Sequence, residues 1–338
     1  MISKTTTQNP STLYDGYVGI DVGKNNLVIA YLPTSGKTKI VEVSNDEKGF
    51  QQIRETLKQL NLISPLIALE ATGTYHQPCM AYLLGQNYTV SILRSNAVKY
   101  HQKSEGQRHK TDKADALAIG LYAKQKHPKP CVLASEAQAE LQQIQAHKDQ
   151  IIKQLNALQG LVESNNFRWH QNEISNGILA EQIAHLESLL KRLIEEERRL
   201  VGSVFAIEIK LLQSIPGIGH RSALLLLAHI GDASGFDSSK ALSKYFGLEP
   251  VPNESGRFRG KSRISKQGNS DVRRVLYVAS WSAVRFNKVC HNLYERLLAK
   301  GKTKMEALIA VAHKLVRQAF GVLKSRQAFD PNFHLQKR

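Results

Sequence analysis

The sequence predicts an α/β amino-terminal domain, then a long helical region, then a mainly α carboxy-terminal domain. Three observations carry that prediction. Short apolar runs of strand length alternate with turn residues over the first hundred positions. From about 136 to 212 the composition shifts to Gln, Leu, Glu, Lys and Arg, with leucine and isoleucine at helical spacing. The last third then holds a Pro-Gly-x-Gly turn between two apolar helices, a basic loop and further helices. At 338 residues the chain is long enough for two or three domains, each with its own core.

Residues 1–15 are polar and rich in Thr and Ser, and are expected to be a disordered lead-in. Stretches 17–21, 27–32 and 38–43 read as three successive strands, with the turn Pro33-Thr34-Ser35-Gly36 between the second and third. Asn45 or Asp46 caps a helix to about 60, whose apolar positions include Phe50, Ile53 and Leu57. A buried strand at 65–70, a helix at 75–84, a fifth strand at 88–93 and a helix at 112–126 complete the first domain, 16–130. Three strands followed by alternating helix and strand describe an RNase H-like α/β fold. A dinucleotide-binding sheet is disfavoured, because no glycine fingerprint follows the first strand. His127-Pro128-Lys129-Pro130 stops the last helix of the domain.

Residues 131–210 form the helical region. One stripe runs through Leu141, Ile144, Ile151, Leu155, Leu158 and Leu161, and a second through Ile183, Leu186, Leu190, Leu193 and Leu200. Two long antiparallel helices satisfy both, as a dimerising coiled coil or as a hairpin within one chain. The third domain, 211–330, opens with Ile215-Pro216-Gly217-Ile218-Gly219 between two apolar helices, a helix-hairpin-helix pattern. Gly217 and Gly219 would let backbone N–H groups approach a phosphate at a helix N-terminus; a tight turn with no ligand is the plainer reading. Residues 253–269 then carry Arg257, Arg259, Lys261, Arg263 and Lys266 with three glycines, a composition that suits a mobile loop laid along phosphates. Helices are expected at 271–286, with Arg273 and Arg274 in the first turn, and at 291–300 and 304–323.

Lys and Arg number 46 against 29 Asp and Glu, a formal charge of +17 and a pI near 9.7. That excess favours a polyanionic partner through counterion release, and nucleic acid above others. No apolar run approaches the roughly 20 residues of a membrane span, and no membrane partner is expected. Cys79, Cys131 and Cys290 lie far apart without metal-type spacing, as reduced thiols of a cytoplasmic protein do.

Against that background four acids stand out. Asp21 lies inside the first strand, where a carboxylate is costly unless paired. Glu70 ends an apolar strand, and Asp112 and Asp115, three apart, share a face at the start of a helix. Singly, each has a plain reading as a solvated or capping acid. Together they suit a divalent ion, since hard carboxylate oxygens on rigid elements leave room for phosphate oxygens and water. Lys24 and Lys110, beside them in the chain, are candidates for phosphate contact. Asp15 and Asp46 sit in turn-like settings and are expected to have no chemical role.

Five blocks carry a family resemblance. Gly19-Ile20-Asp21-Val22-Gly23-Lys24, Leu69-Glu70-Ala71-Thr72-Gly73-Thr74-Tyr75 and Lys110-Thr111-Asp112-Lys113-Ala114-Asp115-Ala116 come first. Ile215-Pro216-Gly217-Ile218-Gly219 follows, and then Ile264-Ser265-Lys266-Gln267-Gly268-Asn269 leading to Arg273-Arg274-Val275-Leu276-Tyr277. In this order they resemble the insertion-sequence transposases of the IS110 type, related to the Piv invertases. The resemblance spans about 17–323 and implies a RuvC-like Asp-Glu-Asp-Asp domain that binds Mg2+ through Asp21, Glu70, Asp112 and Asp115.

It further implies that a serine of the carboxy-terminal domain attacks a DNA phosphate. Composition does not single out one of Ser255, Ser262 and Ser265; the resemblance places the nucleophile at Ser255, in the Glu-Ser-Gly part of the basic loop. Donor and target DNA, a structured guide (bridge) RNA and a homo-oligomer of two or four chains are the partners it implies, in the bacterial or archaeal cytoplasm at the nucleoid. The main alternative is a Holliday-junction-type nuclease using the four carboxylates and water. An actin-like kinase, which shares the Gly-Ile-Asp-x-Gly opening, lacks a second phosphate loop here.

Overall fold

The structure, a computed structural model, describes residues 14–104, 111–251, 254–255, 258–259 and 263–332. The chain divides into two compact units, Met1–Leu133 and Ala134–Arg338.

The first unit is built on a five-stranded sheet. Strands β1 (Gly16–Val22), β2 (Asn26–Pro33) and β3 (Lys39–Ser44) form an antiparallel meander. Strands β4 (Leu66–Glu70) and β5 (Thr89–Leu93) add parallel to β1, giving the order β3-β2-β1-β4-β5. Helices α1 (Glu47–Gln59) and α2 (Gln77–Gly85) connect β3 to β4 and β4 to β5. Helices α3 (Ser95–Ser104) and α4 (Asp112–Lys126) follow β5.

Strand alternation sorts the side chains into two cores. Val18, Ile20 and Val22 of β1 join Ile67 and Leu69 of β4 under Phe50, Ile53 and Leu57 of α1 and Cys79 and Leu83 of α2. Tyr17 of β1 joins Leu66 and Ala68 of β4 on the opposite face, under Ala116, Ile119 and Ala123 of α4. Asp21 and Glu70 follow the second parity, so both project on the α4 face.

A contact between glycines sets how closely α4 approaches. A Cβ on Gly19 would lie 2.1 Å from the Ala116 carbonyl oxygen and 2.2 Å from the Gly120 nitrogen. The helix backbone therefore rests directly on β1, a separation that only glycine allows. The two acids set aside from the sequence have structural duties. Asp46 caps α1, accepting from the Gly49 N–H at 3.0 Å. Asp15 Oδ2 accepts from the N–H groups of Ile63 and Ser64 at 2.5 and 2.7 Å, holding the turn before β4.

The second unit is helical. Helices α5 (Glu136–Asn166) and α6 (Glu173–Val204) run antiparallel. Near one end Asn165 Nδ2 donates to Asn176 Oδ1 at 3.1 Å; near the other, buried Glu197 of α6 accepts from Gln145 and from Lys148 Nζ at 2.5 Å. Helices α7 (Ala206–Gln213), α8 (His220–Ile230) and α9 (Ser239–Tyr245) come next. Then α10 (Ser270–Phe286), α11 (Lys288–Ala299) and α12 (Lys304–Ser325) pack with them around Leu212, Ile215, Leu276, Leu308 and Leu315.

The reading of 253–269 as a loop without regular structure is corrected in part. The pairs β6 (Pro250–Val251) with β9 (Arg263–Ile264), and β7 (Glu254–Ser255) with β8 (Phe258–Arg259), lie within or beside it. Two-residue strands leave no alternating apolar pattern for a sequence to display.

Candidate active site

The acids gather at one end of the first unit's sheet. β1 and β4 are parallel with Ile20 opposite Leu69, so Asp21 and Glu70 come next in register at the same edge. Both lie on the face that α4 covers, and α4 presents its first turn there. Thr111 is the N-cap, its Oγ1 accepting from the Ala114 N–H at 3.2 Å, which frees Asp112 from capping. One turn before the Ala116–Gly120 contact with Gly19, Asp112 and Asp115 face the end of β1.

The electrostatics agree with that placement. The half-buried Asp21 carboxyl is pushed up to about 6, first by burial and then by the charges of Asp115, Asp112 and Glu70. The Val22 N–H, a donor to it, opposes the rise. Among the described residues none of the four acids makes an ion pair. Like charges are thus held together by the fold alone, a state that a bound cation relieves.

For a divalent ion the donor set fits in kind: four carboxylates, with hard oxygen donors, on two strand ends and one helical turn. It does not close around a single point. Among the described residues no three carboxylate, imidazole or thiol groups stand close enough to hold one ion. Such a set suits ions that share the acids and complete their shells from a phosphate and water.

Two supporting residues escaped the sequence reading. Gln102 Nε2 donates to Asp115 Oδ1 at 2.7 Å from α3, a helix the reading did not predict. That helix is ten residues long and its buried side chains include Val98 and His101, a pattern too short to stand out by period. Asn45, whose position before α1 suggests only a cap, donates through Nδ2 to Gly23 O at 2.9 Å and Tyr75 O at 3.1 Å. It ties together the loops that follow Asp21 and Glu70.

The basic candidates divide. Lys24 is exposed in the turn after β1, while Lys110, Arg257 and Lys261 lie outside the described residues. Ser255 lies in β7 and Arg259 in β8, with Ser255 opposite Phe258. Arg263 and Lys266 are exposed. Arg273 is otherwise engaged: its Nη1 donates to Phe246 O at 3.1 Å and Gly268 O at 2.8 Å, fastening the end of α9 to the start of α10. Arg274 pairs with Asp271 at 3.2 Å.

Gly217 adopts a φ of +105°, and a Cβ there would lie 2.5 Å from that of Ala283, so its turn packs tightly on α10. Gly219 caps α8 with open space around it. The four acids belong to the first unit and Ser255 to the second.

Comparison with known proteins adds the family. A model described as "Transposase", for DEDD transposases of the IS110 type, matches residues 18–164. A second, "Transposase IS116/IS110/IS902 family", matches 209–295. The pilin gene-inverting protein of Moraxella bovis is 27% identical over 332 residues, covering 94% of this chain and 98% of its own. The transposase for insertion sequence element IS1111A of Coxiella burnetii is 23% identical, covering 84% of this chain and 86% of its own. The Thermus thermophilus RuvC structure aligns with 34% of this chain and 98% of its own at 16% identity and a TM-score of 0.26, and adds nothing to the topology described above. With two models matched in order and relatives aligned over nearly the full length, the chain belongs to the IS116/IS110/IS902 family of transposases.

Proposed function

We propose that the protein cuts and rejoins DNA strands through a covalent phosphoserine link formed by Ser255, with Asp21, Glu70, Asp112 and Asp115 holding Mg2+. The observation that carries this reading is the gathering of four acids at one sheet edge, none of them ion-paired among the described residues, in a chain of net charge +17. A cationic protein that gathers four acids at one sheet edge is arranged to bring divalent cations and phosphates together.

In the proposed step Ser255 Oγ attacks a phosphorus of the DNA backbone and loses its proton. The bond from that phosphorus to the departing sugar oxygen breaks, and the oxygen takes up a proton. The strand stays attached as a serine phosphodiester. A sugar hydroxyl of another strand then attacks the same phosphorus, and Oγ departs and is reprotonated. One P–O bond forms as one breaks in each half, so rejoining needs no ATP. Bound Mg2+ would stabilise the charge that develops on the phosphoryl oxygens. A serine hydroxyl is a weak nucleophile by itself, and Arg257, Arg259, Lys261 and Arg263 lie near it in the chain to stabilise the transferring group.

Donor and target DNA are the substrates in this reading. A structured bridge RNA would select them by base pairing, leaving the protein to hold backbone and shape, and two or four chains would act together. Gly217, Gly219 and the α8 N-terminus are proposed to take a DNA phosphate in the manner of a helix-hairpin-helix, and α5 with α6 to form the coiled coil.

The test is a covalent adduct trapped on nicked DNA in the presence of Mg2+ and the RNA that co-purifies with the protein. Ser255→Ala is expected to abolish the adduct while DNA binding persists; an undiminished adduct removes Ser255 from the chemistry. A hydrolytic nuclease is the second reading, favoured by the placement of all four acids in a unit that does not contain the serine. Cleavage by the Ser255→Ala variant to free 5′-phosphate and 3′-hydroxyl ends would establish it instead.

A further inference from the structure

A cavity of about 950 Å³ lies in the second unit between α11 and α12, and the chemistry above gives it no use. Its lining is strongly one-signed. Lys288 and Arg296 line it from α11, and Lys314 and Arg317 from α12, with His313 beside them. Among the described residues no carboxylate lines it, and none of these four cations makes an ion pair.

The placement follows from helix periodicity. Lys288, Asn292 and Arg296 recur every four residues along one face of α11. On α12, Ala310, Lys314 and Arg317 share a face, while Leu308, Val311, Leu315 and Val316 turn into the core. The local field is correspondingly positive. The His313 imidazole is held below its ordinary value by burial first, and then by Arg317 and Lys314. Glu249 acts in the other direction, but it lies 3.9 Å from Lys240 and is not part of the lining.

The start of α11 is fixed rather than adaptable. Asn287, 2% exposed, caps the helix by accepting from the Cys290 N–H at 3.3 Å. It also donates to Gln318 Oε1 at 3.2 Å and to Pro216 O at 3.4 Å. The first residues of α11, Lys288 and Val289, thereby open on the cavity, and a helix N-terminus favours an anion there. Phe286, just before that cap, also lines the cavity and is 71% exposed.

We propose that this cavity binds a single nucleic-acid strand, its phosphates on Lys288, Arg296, Lys314 and Arg317 and a base stacked on Phe286. Cations spread over two helices match a row of phosphates better than one anion, and an exposed ring beside them is the stacking platform of single-strand binders. The choice of nucleic acid as the polyanion rests on the proposed function; the site itself does not involve Ser255 or the acids.

The experiment uses the full chain and a fluorescent single-stranded oligonucleotide of about ten nucleotides, followed by anisotropy over a series of salt concentrations. The double variant Lys314→Gln/Arg317→Gln is expected to weaken binding about tenfold, and to reduce the salt slope by about 1.4, two phosphate contacts at ~0.7 each. An unchanged affinity and slope overturns the site. The unaltered protein supplies a second measurement that no folding defect can blur. Acetylation read by mass spectrometry should show Lys288 and Lys314 protected by the oligonucleotide more strongly than Lys58 of α1. Equal protection overturns the proposal, and so does equal protection of Lys288 and Lys314 by adenosine monophosphate or inorganic phosphate, which would mark a small-anion site. The Ser255 adduct is scored in parallel: its presence without lysine protection removes this site alone, and protection without any adduct removes the phosphoserine reading alone.

Discussion

The acid cluster at the β1–β4 edge and the cation-lined cavity between α11 and α12 both gather like charge, but by different means. The acids sit on strand ends and a helix turn that backbone contact presses together, and burial followed by their mutual repulsion raises the Asp21 carboxyl to about 6. The cations stand on long side chains, of which Lys288, Arg296 and Arg317 are exposed and keep their hydration. Like charge on rigid elements carries a standing cost and gives fixed geometry, as bond-making needs. Like charge on flexible stems is nearly free and gives attraction without precise placement, as strand-holding needs.

The largest test of this contrast is Asp21→Asn. Strand chemistry should fall by a thousandfold or more (~4 kcal/mol of barrier) in an adduct-formation assay. Thermal or urea unfolding without divalent ions should nevertheless show the variant more stable by about 1–2 kcal/mol, discounted because Asp21 keeps some solvent contact. A destabilised variant would mean that the acids are not in mutual strain.

Gly19→Ala probes the rigidity itself. The added methyl meets main-chain atoms of α4, which cannot rotate away, so a loss of about 2–4 kcal/mol in urea unfolding is expected. Strand chemistry should drop with it, because Asp112 and Asp115 ride on the displaced helix. Wild-type stability in this variant would show that the separation of strand and helix is soft.

The smallest effect concerns pH in the second unit. Asn269 Oδ1 caps α10 by accepting from the N–H groups of Asp271 and Val272, so its Nδ2 is the atom left to donate to His229 Nε2 at 3.0 Å. That assignment requires a neutral ring, and burial holds the His229 pKa below its ordinary value. A depressed histidine binds its proton more readily in the unfolded chain. Its contribution to stability is therefore intact above the unfolded value of about 6.5, and is lost as pH falls from there toward the lower folded value. His229→Gln should flatten the decline measured by denaturation between pH 7 and 5; an unaltered slope would assign that decline to other groups.

The legible parts of the molecule are those where burial imposes a period. β1, β2 and β4 alternate or run apolar because both faces of the sheet are covered, and α12 shows its stripe because one side faces the core. Asp21 and Glu70 stood out because an acid interrupts such a run. Other features have no period to show. α3 and α9 are short and bury few side chains, and the strands β6 to β9 are two residues each. Asn45 and Gln102 act through one or two hydrogen bonds to partners distant in sequence, and Arg273 binds two carbonyls.

The meeting of Gly19 with Gly120 has a consequence for control. Main-chain atoms have no alternative rotamers, so the span between β1 and α4 is a fixed dimension that loading of the acids cannot readily alter. In the proposed reaction a switch on activity must then operate on what is delivered to this edge, the strand and the attacking hydroxyl, rather than on assembly of the edge itself.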